Sequence, residues 1–123
     1  MIKKFILLIL SSLVIPAYAG EFENAIHSGK PVFLYIHAPW CGSCRMFSPV
    51  YHKLSSAYSG KYVFLKLDTD SSYGRSVANR YSVKYIPYVA LFKPNSTTPV
   101  VVPHSCKYKY SCMDEMLTKF TRH

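Results

Sequence analysis

At 123 residues the chain is long enough for one domain with a substantial core and too short for two. Its formal charge of +9 is strongly basic. Across residues 30–122, however, Lys and Arg stand scattered, with no basic run and no nucleic-acid motif, so a dedicated nucleic-acid binder is excluded in favour of a solvated basic surface with at most weak attraction to anionic lipid or acidic partners.

The N-terminus reads as a leader. Residues 1–4 are cationic, and residues 5–15 are apolar apart from Ser11 and Ser12. Pro16 and then Ala17-Tyr18-Ala19 supply the small-x-small cleavage pattern of a secretory signal peptide, residues 1–19. An apolar run of eleven residues reaches only about 17 Å as a helix, against a hydrocarbon core of about 30 Å, so it is too short for a membrane anchor. No Cys follows the cleavage site, which argues against a lipid anchor. The expected mature part, residues 20–123, loses Lys3 and Lys4, and its charge falls from +9 to +7. Export places the protein in a periplasm or other extracytoplasmic space, where disulfides form and persist.

Residues 21–27 suit a short helix ended by Ser28-Gly29. Pro31 opens a nearly continuous apolar run over 32–37, the pattern of a strand buried on both faces of a sheet. After Ala38-Pro39-Trp40, a helical pattern runs from Cys41 to about Tyr58, with Met46, Phe47, Val50, Leu54 and Ala57 expected on its buried face and a kink expected at Pro49. Gly60 stops it, and residues 62–67 form a second buried strand. Residues 71–81 read as a short helix or turn region. Ile86-Pro87-Tyr88 leads into a strand over 89–92, Pro94-Asn95-Ser96 turns the chain, and residues 100–102 return as the second arm of a hairpin. Ser111 is the expected N-cap of a closing helix, with Met113, Met116, Leu117 and Phe120 as its apolar stripe. A βαβ unit followed by a hairpin and a helix predicts an α/β domain with a mixed sheet and helices on both faces.

Four cysteines occur in two pairs, Cys41 with Cys44 and Cys106 with Cys112. The first pair joins a buried strand to a helix N-terminus, where unpaired backbone N–H groups and the helix dipole favour an anion. A thiolate is the reactive form of cysteine, and such a place lowers its pKa. With a spacing of two residues, the second thiol reaches back to resolve a mixed disulfide formed on the first. Cys41, expected to be the more exposed sulfur, is therefore the nucleophile and Cys44 the resolving thiol. A zinc site is a poor match, because a two-residue and a five-residue spacing do not give the usual ligand pairs.

Trp40-Cys41-Gly42-Ser43-Cys44, Pro49, Lys66-Leu67-Asp68, residues 81–87 and Phe92-Lys93 together resemble the thioredoxin superfamily over nearly the whole of residues 20–123. The resemblance implies a thioredoxin-like fold and a thiol–disulfide oxidoreductase that needs no cofactor beyond a reversible Cys41–Cys44 disulfide and no metal. It implies that Pro87 is a cis-proline lying against the cysteines, and that Trp40, Ile86 and Pro87 meet the substrate chain. By the same resemblance Lys66 lies under the site, and Lys66 and His37 are candidates for tuning the pair. Tyr35 stands where thioredoxin has a buried acid, and no carboxylate occurs between Glu23 and Asp68. Ser43 replaces the family's proline between the cysteines, and His37 replaces an aromatic residue. His37 can be read as a substitute proton relay or as a packed histidine, and the latter is preferred.

The expected activity is interchange on exported protein disulfides, leaning towards reduction, by a monomer served by a membrane or soluble redox partner. The alternative is a metal-binding module, a copper carrier using Cys41 and Cys44 with His37 or Met46. Cys106 and Cys112 are expected to form a structural disulfide on the active-site face, with residues 103–111 overhanging the groove and Lys107-Tyr108-Lys109-Tyr110 offering cations and aromatic surface to a substrate. Exchange of that pair with Cys41–Cys44 is the less favoured alternative.

Overall fold

The computed structural model describes residues 20–122. The expected signal peptide, residues 1–19, lies outside the described residues. The elements are α1 (Glu21–Ile26), β1 (Val32–His37), α2 (Gly42–Ala57), β2 (Val63–Asp68), α3 (Ser72–Arg80), β3 (Tyr88–Phe92), β4 (Val100–Val101), α4 (His104–Lys107) and α5 (Tyr110–Phe120). The four strands form one sheet in the order β2-β1-β3-β4. β1 is parallel to β2 and antiparallel to β3, and β3 and β4 form the expected hairpin. The sheet is mixed, as the alternation of elements predicts.

β1 is central, which explains why its sequence is apolar at almost every position. Side chains alternate across a strand. Phe33 and Tyr35 face one cluster, with Phe47, Tyr51 and Leu54 of α2 and Met113 and Leu117 of α5. Val32, Leu34 and Ile36 face another, with Phe22 and Ile26 of α1 and Val77 of α3. β2 is different. It lies at the sheet edge, so Leu65 and Leu67 are buried, Phe64 is only partly covered and Lys66 is exposed. The expectation of a fully buried second strand is corrected accordingly.

The buried face of α2 also differs from the expected one. Cys44, Phe47, Tyr51 and Leu54 are its buried residues, and the C-cap Tyr58 continues the stripe. Met46 is 70% exposed, Ala57 is exposed and Val50 is only partly buried. Steps of three and four residues from Phe47 reach Tyr51, Leu54 and Tyr58, and aromatic side chains fill that wide face better than the aliphatic positions. Tyr58 and Tyr62 keep their hydroxyls satisfied while buried, on Asp114 at 2.6 Å and on the Leu117 carbonyl at 2.7 Å respectively. The helix continues without a break through the exposed Pro49.

Further along, residues 71–81 resolve as a true helix. The Ser71 hydroxyl caps α3 by accepting from the Gly74 N–H at 2.9 Å. Gly74 is required by close approach, since a β-carbon there would collide with the Asp68 carbonyl that ends β2. At the closing helix the expected cap is wrong by two residues. Lys109 occupies the N-cap of α5 without a side-chain hydrogen bond, and Ser111 lies inside the first turn. The shift follows from the short helix α4 just before it, which the sequence pattern does not reveal.

Candidate active site

β1 ends at His37, and the chain crosses Ala38, Pro39 and Trp40 before α2 begins. Cys41 is the N-cap of α2, and its sulfur accepts a hydrogen bond from the Cys44 N–H at 3.0 Å. That N–H is one of the donors a helix start leaves free, and the sulfur takes the place a serine or aspartate oxygen usually fills. Cys41 and Cys44 are joined in a disulfide with their Cα atoms 5.2 Å apart. The same amide, together with the helix dipole, stabilises a thiolate at Cys41 once the bond opens.

Residue exposure does not separate the two cysteines. Cys41 is 6% exposed and Cys44 4%, a difference too small to assign roles. Their surroundings separate them instead. Cys41 Sγ has the helix amide and lies 3.9 Å from the Ile86 carbonyl. Cys44 sits one helical turn deeper, and its own carbonyl accepts from the Tyr35 hydroxyl at 3.4 Å.

The Ile86–Pro87 bond is cis, the isomer the resemblance implies. Pro87 is buried and Ile86 partly so, and they place a backbone edge beside Cys41. Trp40 is 67% exposed, with its indole N–H donating to the Asp70 carboxylate at 3.3 Å. Tyr85 is 73% exposed. Two large aromatic side chains thus stand in solvent next in sequence to the parts that meet at Cys41.

Behind the disulfide is a shallow cleft lined by Tyr35, His37, Cys41, Cys44 and Lys66, among others. The Lys66 amine stands 5.8 Å from the centre of the Tyr35 ring. Burial and then the Lys66 charge lower the His37 pKa, with Asp68 and Asp70 opposing, so His37 is neutral at pH 7. Tyr35 is 2% exposed, and burial pushes its hydroxyl up to about 12, so it holds its proton at neutral pH. Met46, which a copper site would enlist, is not part of this cleft. Among the described residues no cluster of three His, Cys, Asp or Glu is arranged to hold a metal ion.

Cys106 and Cys112 are also disulfide-bonded, with Cα atoms 5.4 Å apart. Lys107 departs from its expected place in the groove. It is 4% exposed, with its amine donating to the Pro87 carbonyl. Tyr108 is partly buried and packs edge-on to Phe47 at 6.4 Å. The loop does reach the active-site end, but through the inside. Lys107 was expected as an exposed contact of the groove, because nothing in its spacing marks a lysine as buried.

The thioredoxin family profile, described as Thioredoxin, matches residues 14–110. The chain belongs to the thioredoxin family. Thioredoxins are thiol–disulfide oxidoreductases that use no cofactor beyond their redox-active disulfide, and the Cys41–Cys44 pair is of that kind. The chain is 38% identical over 80 residues to a thioredoxin of Synechocystis, a match covering 65% of this chain and 73% of that one. It is 41% identical over 70 residues to the chloroplastic thioredoxin M4 of Arabidopsis thaliana, covering 57% of this chain and 35% of the relative. The match therefore spans about a third of the chloroplast protein and about three quarters of the cyanobacterial one. Among solved structures, the oxidised thioredoxin of Plasmodium falciparum superimposes with a TM-score of 0.64 at 26% identity, covering 81% of this chain and 89% of that one. Oxidised mitochondrial thioredoxin 3 of Saccharomyces cerevisiae gives 0.65 at 25%, covering 80% and 87%.

Proposed function

We propose that the chain is an exported protein-disulfide oxidoreductase, working mainly as a reductant or interchange catalyst on exported proteins. The observation that supports this best is the placement of Cys41 Sγ, between the Cys44 amide and the Ile86 carbonyl. A thiolate there is stabilised by the helix and lies beside the Ile86–Pro87 edge, along which a substrate strand would dock. In the reducing direction, the Cys41 thiolate attacks a substrate disulfide and one substrate sulfur leaves with a proton. Cys44 then loses its proton and attacks Cys41, the mixed disulfide breaks, and the second substrate thiol is released as Cys41–Cys44 closes. A membrane or soluble partner then returns two electrons to the pair. Trp40, Ile86 and Pro87 shape the approach, and Cys106–Cys112 acts as a staple.

Insulin-disulfide turnover together with the reduction potential of the Cys41–Cys44 pair tests the activity. The expected potential lies nearer to about −270 mV than to about −120 mV. A value at the upper end, with faster oxidation of reduced substrates than reduction of insulin, overturns the reductant direction. The export reading rests on residues 1–19 alone, whereas several relatives are named as chloroplastic. It predicts that protein recovered from its producing cells begins at Gly20 and lies outside the cytoplasm. A cytoplasmic product that keeps residues 1–19 overturns it.

A further inference from the structure

The hairpin of β3 and β4 stops short at the active-site end, and the interruption has been filled by an unexpected group. Ala90 faces Val101 and Leu91 faces Val100, and the Val102 N–H donates to the Val89 carbonyl at 2.9 Å. Continuing this register by two residues sets the Pro87 carbonyl opposite the His104 N–H. That rung does not form, because the chain leaves the sheet at Pro103, the N-cap of α4. Pro87 is buried, and a buried carbonyl without a donor is costly. The Lys107 amine supplies the donor.

Among the described residues Lys107 is the one buried charged side chain. It forms neither of the ion pairs seen among them, Arg80 with Glu23 or Lys119 with Glu115. Burial lowers its pKa from the ordinary lysine value, in keeping with an amine drawn out of water. Its neighbours hold it there. Cys106, 3% exposed, is tied to Cys112, and Tyr108 is packed on Phe47. Pro87 directly follows Ile86, whose carbonyl meets Cys41 Sγ. The amine therefore acts one residue from the reacting sulfur, without touching it.

We propose that Lys107 is a positioning residue: it replaces the missing rung of the hairpin, fixes the Ile86–Pro87 edge against which a protein substrate docks, and is held in place by the Cys106–Cys112 disulfide. This rests on the oxidoreductase reading. A fixed edge matters for a substrate that binds through its backbone and little for a small disulfide that meets only the sulfur.

The test compares the unsubstituted protein with Lys107→Met, which keeps the apolar stem and loses the donor, and Lys107→Arg, which restores a charged donor. With insulin as substrate, Lys107→Met is expected to raise KM about fivefold with kcat within about twofold, the effect of losing one charge-assisted contact that acts indirectly. The rate with a small aromatic disulfide is expected to fall less than twofold by the same reasoning, and Lys107→Arg recovers most of the insulin KM. The double variant Cys106→Ala/Cys112→Ala should move the insulin KM in the same direction as Lys107→Met. An unchanged insulin KM in Lys107→Met, or an equal loss with both substrates, overturns the proposal while leaving the oxidoreductase reading intact. An unsubstituted protein that reduces neither substrate overturns both. Should Lys107→Met not fold, lysine acylation of the unsubstituted protein decides with mass mapping. Protection of Lys107 while the exposed Lys109 is modified supports the clamp, and prompt modification of Lys107 overturns it.

Discussion

Cys41→Ser is expected to remove insulin-disulfide reduction, by at least on the order of a thousandfold, whereas Cys44→Ser is expected to stop after the first attack and accumulate mixed disulfides. The asymmetry follows from the two environments. Cys41 Sγ receives the Cys44 N–H at 3.0 Å and lies at the Ile86 backbone edge proposed above to dock the substrate, so an attack from this sulfur has both anion stabilisation and that edge beside it. Cys44 belongs to the buried stripe of α2, beneath Tyr35, and can reach only what is already bonded to Cys41. Serine at position 44 keeps the backbone donor, so the nucleophile remains activated while its resolving partner is gone. Non-reducing electrophoresis with mass mapping reads the outcome. Trapping by Cys41→Ser and not by Cys44→Ser would reverse the roles.

The elements that sequence alone made legible are those where one physical demand dominates. β1 must be apolar on both faces because it is the central strand flanked by helix layers, and residues 32–37 show this at almost every position. The CxxC pair is legible because a strand-to-helix junction and a two-residue spacing meet at one place. The fold and family follow from those features combined with the segment around Pro87. Less legible are positions decided by competing neighbours. Tyr51 and Tyr58 lie outside the apolar set expected on the buried face of α2, but their hydroxyls or rings find partners that let them line the core. Met46 reads as core by hydropathy, yet its helix turns that side to solvent. Lys107 is the extreme case. A lysine between two disulfide-bonded cysteines reads as a surface cation, and only the broken register of the β3–β4 hairpin reveals the carbonyl, 20 residues earlier, that draws it inside. Long-range geometry of that kind leaves no periodic mark.

Tyr35→Asp is expected to speed the release of substrate from the Cys41 mixed disulfide by roughly tenfold near pH 7, the lower end of what a positioned base contributes. Cys44 must lose a proton before it can attack, and the wild-type surroundings offer it little help. Tyr35 keeps its own proton, since burial raises its pKa to about 12. His37 lines the same cleft, but burial and then the Lys66 charge hold its pKa below the ordinary histidine value, which makes it a weak base. A carboxylate at position 35 would sit on the β1 face that looks towards α2, in the place where the family carries its acid. Burial should raise the pKa of that carboxyl, and release in the variant should therefore increase with pH through the raised value. Stability moves the opposite way. The folded state then holds the proton more tightly than the unfolded chain, so the variant loses stability as pH rises above the ordinary aspartate range of about 4. Loss of a ring packed on Phe47 at 5.0 Å and Tyr51 at 4.9 Å leaves a cavity as well, and together these effects should cost about 3 kcal/mol or more. Tyr35→Phe controls for the hydroxyl alone and should leave release nearly unchanged. Stopped-flow release rates across pH, on protein shown to be folded by circular dichroism, give the answer: a Tyr35→Asp profile that overlays the wild type would show that proton removal from Cys44 does not limit this enzyme.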